Sequence, residues 1–106
     1  MNFRNPYFTE EEKIGMLQRW IIVQSRFYYD TDIELVSDKV YDDNCRQLVD
    51  LQNQFREAFK RSQYYYMFYD FDGTTGFHLY NRLTEPDRIR IDNIVNMLMR
   101  LRHGES

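Results

Sequence analysis

Apolar residues return every three or four positions along most of this chain, and the returns fall into three blocks. In the first, Thr9-Glu10-Glu11-Glu12 has the form of a capping box, and Ile14, Leu17, Trp20, Ile21 and Tyr28 continue as a stripe. The second opens at Ser37, whose hydroxyl is a good acceptor for an orphan amide of a first turn, and carries Tyr41, Cys45, Leu48, Leu51, Phe55 and Phe59 at helical spacing. The third begins near Thr84, where Thr-Glu-Pro-Asp supplies a cap and an early proline. It repeats Ile91, Ile94, Val95, Leu98 and Leu101 until His103-Gly104 closes it. The pattern predicts a mainly α fold, a small bundle of three main helices.

Residues 64–83 break the rhythm. Tyr64-Tyr65-Tyr66-Met67-Phe68-Tyr69 suits a strand by aromatic content, or the tail of the second helix. Beyond it lies either a hairpin through Asp72-Gly73-Thr74-Thr75-Gly76 or a glycine-broken loop leading to a short helix. The short helix is the preferred reading. Phe77, Tyr80 and Leu83 sit three apart and Thr75 can cap them, whereas Phe77-His78-Leu79-Tyr80 lacks clean alternation.

Length and charge bound what such a bundle does. One domain over 1–106 is expected, with frayed ends at 1–7 and 104–106; a chain of this size buries about two-thirds of its unfolded surface. The single cysteine, Cys45, excludes an internal disulfide and falls on the apolar stripe, so it reads as a small core residue. No stretch has transmembrane length and Met1-Asn2-Phe3-Arg4 lacks the apolar run of an export signal, which implies a cytoplasmic protein with no membrane role. Net charge is −3 with the signs interspersed, and the one basic cluster, Arg88, Arg90, Arg100 and Arg102, reads as the solvated side of the last helix. Direct nucleic-acid binding is therefore not expected.

Chemistry concentrates where the first helix ends and the second begins. Asp38, Tyr41 and Asp42 fall at i, i+3 and i+4 of the second helix, and a short connection returns them toward Tyr28 and Tyr29. Tyrosine faces beside carboxylates suit a flat cationic ring carrying a hydroxylated sugar, the ring held by cation–π attraction and the hydroxyls by the acids. Nicotinamide riboside has these features. A plainer alternative is that Ser37 and Asp38 only cap a helix while Tyr41 is a core ring with a wet hydroxyl.

Residues 17–52, from Leu17 through Tyr28-Tyr29, Asp32, Ser37-Asp38 and Tyr41-Asp42 to Leu48 and Leu51, resemble the N-terminal (Ia) domain of bacterial NAD-dependent DNA ligases. That resemblance implies binding of the nicotinamide mononucleotide half of NAD. Carried over by motif, Tyr28, Asp38, Tyr41 and Asp42 match binding positions of the family, and Tyr29 stands where the family usually has histidine. The phosphate has no obvious clamp, with Arg26 or Arg46 the candidates to approach it. The ligase nucleophile, a lysine in Lys-x-Asp-Gly, has no counterpart: the only Asp-Gly is in Asp70-Phe71-Asp72-Gly73, with an acid at the lysine position. A stand-alone, non-catalytic relative of the binding module is implied.

Other chemistries find little support. Asp70-Phe71-Asp72-Gly73-Thr74 imitates the first motif of haloacid-dehalogenase phosphatases, yet the parallel sheet those enzymes need is not encoded. A calcium loop fails because the glycine comes too early, so the stretch reads as a turn whose aspartates accept backbone amides and whose glycines take positive φ. His78 and His103 have no partners at ligand spacing, so no metal is expected, and no nucleophile–base pair points to an enzyme. Against the nucleotide reading stands one of a protein-interaction module. Small, acidic, aromatic-rich domains that keep such a fold look like bacteriophage accessory proteins, among them anti-CRISPR-like inhibitors of a host enzyme or defence nuclease. At 17% aromatic, this chain has more rings than a small core hides, leaving tyrosines to anchor a protein partner in a bacterial host.

Overall fold

A computed structural model of the chain describes residues 7–30, 35–73 and 79–102, the side chains of residues 29 and 30 excepted. Five α-helices and one 3₁₀ turn make up the described structure: α1 Glu10–Asp30, α2 Asp38–Gln54, α3 Arg56–Arg61, α4 Tyr65–Phe68, the turn Tyr80–Arg82, and α5 Glu85–Arg102. Three helices are long, and no strand occurs among the described residues. Among those residues, too, no helix is long and apolar enough to cross a membrane. The ends expected to fray fall outside the described residues except for Tyr7.

The capping box forms as the sequence predicts: Glu12 N–H donates to Thr9 Oγ1 and Thr9 N–H to Glu12 Oε1, both at 3.1 Å. α1 is the hub, in contact with α2, α3, α5 and the 3₁₀ turn. Every residue from Ile21 to Ser25 is consequently buried, and Ile22, Val23 and Phe27 join the core beside Ile14, Leu17 and Ile21. A single stripe understates this helix because it has neighbours on several sides.

The second predicted helix is interrupted. Phe55, at φ −121° and ψ 63°, separates α2 from α3, although Tyr41, Cys45, Leu48, Ala58 and Phe59 all reach the core. A buried polar cluster accounts for the bend. Gln18 on α1 donates through Nε2 to Gln52 Oε1 at 3.3 Å and Ser62 Oγ at 3.1 Å, while its Oε1 accepts the Tyr64 N–H at 3.3 Å. Ser62 Oγ donates in turn to the Phe59 carbonyl at 2.6 Å. Buried amides must be partnered, and turning the chain at Phe55 brings Ser62 and Tyr64 to Gln18.

The aromatic run is neither a strand nor a tail of α2 but the separate single turn α4. Tyr64, Met67 and Phe68 are fully buried, whereas Tyr65, Tyr66 and Tyr69 share the opposite, exposed face. The chain leaves through Gly73, whose φ of 88° suits the expected glycine turn. Asp70, expected to accept backbone amides there, has a backbone hydrogen bond and also grips the Arg82 guanidinium at 2.6 and 3.1 Å. The short helix expected near Tyr80 exists as the 3₁₀ turn, with Leu79 and Leu83 buried; Thr75, Phe77, His78 and His103 lie outside the described residues. α5 packs on α1 through Ile91 and Val95, with Ile94, Leu98 and Met99 at the margin. Leu101, read as part of that stripe, faces outward.

Candidate functional site

Ser37 builds the second half of the site. With φ −67° and ψ 157° it stands outside the helix and accepts the Val40 N–H at 3.2 Å, which fixes where α2 begins. Helical geometry then points Tyr41 inward and leaves Asp38 and Asp42 on the exposed flank beside it. Asp38, in the first turn, also complements the positive end of the helix dipole.

The two tyrosines meet. The rings of Tyr28 and Tyr41 lie 6.1 Å apart between centroids and 8° from parallel. Tyr41 is only 8% exposed and Tyr28 49% exposed, so the pair is a buried ring backing a half-open one. The Tyr41 hydroxyl lies 2.7 Å from Ser25 Oγ, and Ser25 Oγ lies 2.8 Å from the Ile21 carbonyl. Because that carbonyl can only accept, the single Ser25 hydrogen goes to it and Tyr41 is the donor to Ser25. The hydroxyl expected to be wet is thus engaged inside the protein. Ser25 went unnoticed in the sequence, though its place three residues before Tyr28 puts it on the same face of α1.

This geometry restricts where a ligand ring can go. Insertion between two rings needs about 7 Å between their planes, two contacts of about 3.5 Å each, which exceeds the observed separation. Of the two rings, Tyr28, at 49% exposure, is the one that presents surface for stacking. Tyr29 contributes its backbone to the last turn of α1, and its side chain lies outside the described residues.

Neither arginine considered for the phosphate is turned to the stack. Arg26 and Tyr28, two positions apart, project from opposite flanks of α1, and the Arg26 guanidinium lies 4.9 Å from the centre of the Tyr80 ring. Arg46 is paired with Asp43, which also holds Lys39 at 3.1 Å. Those hydrogen bonds, from Lys39 first and Arg46 second, lower the Asp43 pKa. Cys45, one turn beyond Tyr41, is buried. Burial pushes its thiol up to about 11, the Asp42 charge adds to the rise, and a hydrogen bond with Tyr41 opposes it. A thiol so placed is a core residue at neutral pH.

Two surface hollows of about 480 and 530 Å³ lie at the other end of α1. Both are lined by Thr9 and Glu11, and their edges are joined by Arg19 to Gln63 at 2.9 Å and Arg61 to Glu11 at 3.4 Å. Thr9, which lines both, stands ~28 Å along the helix from Tyr28. Among the described residues no group of three or more His, Cys, Asp and Glu is placed to hold a metal ion. Comparison with protein-family models, with curated proteins and with solved structures finds no match.

Proposed function

We propose that this chain is a non-catalytic nicotinamide-nucleotide-binding module, the role implied by its resemblance to the ligase Ia domain. The observation that carries the reading is the Tyr28–Tyr41 stack, with one ring buried, one half open, and Asp38 and Asp42 exposed at the adjoining helix start. The nicotinamide cation stacks on the open side of Tyr28, Tyr41 supports that ring from behind, and the two carboxylates accept from the ribose hydroxyls.

Stacking on an aromatic contributes about 1–3 kcal/mol, cation–π attraction at an exposed site about 0.5–1, and each hydrogen bond to a charged acceptor about 1.5–3 before the cost of ordering the ligand. A net of about 4 kcal/mol corresponds to a Kd of about 1 mM, so this chain alone binds weakly. Titration of nicotinamide mononucleotide and NAD to about 10 mM, followed by backbone amide shifts, tests the site. Saturable shifts at 25–28 and 38–42 are expected, abolished in Tyr28→Ala and weakened in Asp38→Asn and Asp42→Asn. Silence at that concentration would refute the reading.

A second reading, a protein-interaction module, is favoured by a different observation: Tyr65, Tyr66 and Tyr69 are exposed together on one face of α4. Each is already held in place. Tyr65 meets the Phe59 ring edge-on at 4.9 Å, the Tyr66 hydroxyl donates to Asp87 at 2.5 Å, and Tyr69 lies under the Arg82 guanidinium at 5.7 Å. Ordered tyrosines lose little further freedom on binding, which suits them to anchor a partner. Silence to nucleotide, together with partner capture that is lost in Tyr69→Ala, is the expected signature of this reading.

A further inference from the structure

We infer that the outer face of α5 is a docking surface for an acidic amphipathic helix of a protein partner. α5 carries two apolar stripes. The inner one, Ile91, Ile94, Val95, Leu98 and Met99, is used against α1. The outer one, Ile89, Met97 and Leu101, is 54, 50 and 63% exposed, and these residues lie with Asn93 on a single i, i+4 ridge.

The charges around that ridge choose the occupant. Arg90 borders it on one side and Arg100 on the other, both exposed. The acids of α5 cluster toward its start: Glu85 ends the ridge one turn before Ile89, Asp87 accepts the Tyr66 hydroxyl, and Asp92, half-buried on the flank, accepts the Tyr80 hydroxyl at 2.7 Å. A chain with 17 acidic and 14 basic residues thus presents one helix face that is apolar and, past its first turn, predominantly cationic, with Asp92 already engaged by Tyr80. A merely solvated face mixes its charges and lacks large apolar side chains. The complement is a helix with an apolar stripe flanked by carboxylates, and the ~18 Å from Ile89 to Leu101 matches about three turns of it. Tyr28 and the α2 acids take no part in this face, so the proposal stands or falls apart from nucleotide binding.

The test uses the full chain and a synthetic 16-residue helical peptide with a leucine stripe flanked by glutamates. Saturable amide shifts centred on 89–101 are expected, weakening with added salt and at least tenfold weaker in Met97→Asp and in the Arg90→Glu/Arg100→Glu double variant. These substitutions are all at exposed positions, and unchanged circular dichroism verifies that the variants remain folded. Equal binding of a lysine-flanked peptide, shifts centred elsewhere, or no shift at millimolar peptide each overturns the proposal. So does binding of phosphatidylglycerol vesicles in place of the peptide, or a dimer in sedimentation that Met97→Asp dissolves, since these assign the face to a membrane or to a second copy.

Discussion

Substituting Tyr41 by phenylalanine and Tyr28 by alanine separates a ring that holds the fold from one that faces a ligand. Tyr41→Phe keeps the buried ring and removes the hydroxyl, and with it the 2.7 Å donation to Ser25 Oγ and the contact with the Cys45 thiol. Ser25 still donates to the Ile21 carbonyl and the thiol is a weak partner, so the loss is that of neutral hydrogen bonds, about 1–2 kcal/mol. For a domain of this size each kcal/mol lowers Tm by about 4–8 °C. Tyr41→Ala instead empties a site only 8% exposed and costs about 3–5 kcal/mol, a large share of a total stability of about 5–15 kcal/mol. Tyr28→Ala removes a half-open ring and its offset stack, about 1 kcal/mol. Urea denaturation followed by Trp20 fluorescence gives the stabilities, and nicotinamide mononucleotide titration of each variant gives the binding. Tyr41→Phe should be less stable with nucleotide shifts intact, and Tyr28→Ala nearly as stable with shifts lost. A Tyr41→Phe variant as stable as the parent yet silent to nucleotide would refute this division, because the hydroxyl would then serve the ligand and not Ser25.

Three further outcomes are expected. Gln18→Leu orphans the buried Tyr64 N–H and Gln52 carbonyl oxygen and should cost about 2–4 kcal/mol in urea denaturation, with part of the loss recovered by adding Gln52→Leu; a neutral Gln18→Leu would mean that the polar cluster does not hold the α2–α3 bend. Tyr64→Phe should stabilise by about 1 kcal/mol, since the Tyr64 hydroxyl is buried without a hydrogen-bond partner among the described residues; destabilisation in the same assay would reveal a partner such as an internal water. The Arg82 guanidinium holds the Asp70 carboxyl below the usual carboxylate range, so its contribution is complete above the unfolded-state pKa and is lost as pH falls through the folded one. Asp70→Asn should therefore flatten the acid limb of the stability–pH curve, and an unaltered limb would show that the pair contributes nothing.

Hydrophobic periodicity located the three long helices because each is amphipathic for most of its length, and the caps at Thr9 and Ser37 were readable because a side-chain acceptor is a local signal. The break at Phe55 was not. Tyr41 through Phe59 keep one period, and what bends the chain is a long-range requirement, the partnering of Gln18 with Gln52, Ser62 and Tyr64. Gln18 did leave a trace, a polar residue four places after Ile14 and three before Ile21 on the apolar stripe. The run Tyr64–Tyr69 misled because aromatic content reports burial as readily as strand, and here alternate faces of one helical turn divide the rings between core and surface. At the candidate site the convergence of Tyr28 and Tyr41 was legible from motif spacing. The engagement of Tyr41 by Ser25 and the turning away of Arg26 required the packing of α1 against its neighbours.

Those placements alter how much each motif residue says about function. Ser37 stops the helix, Asp38 answers its dipole and Tyr41 fills the core, so all three would be kept by a protein that needed only to fold. Tyr28 and Asp42 have weaker structural reasons to be what they are. Half of Tyr28 is open, and Asp42, beyond the capping turn and exposed, adds its charge to the burial that raises the pKa of the nearby Cys45 thiol. A residue type that folding does not demand, beside an aromatic surface that folding does not cover, is where a ligand would leave its mark. Within the four-residue match, the nucleotide proposal therefore draws more on Tyr28, stacked on Tyr41, and on the exposed Asp42 than on Asp38 and Tyr41, whose places the fold already explains.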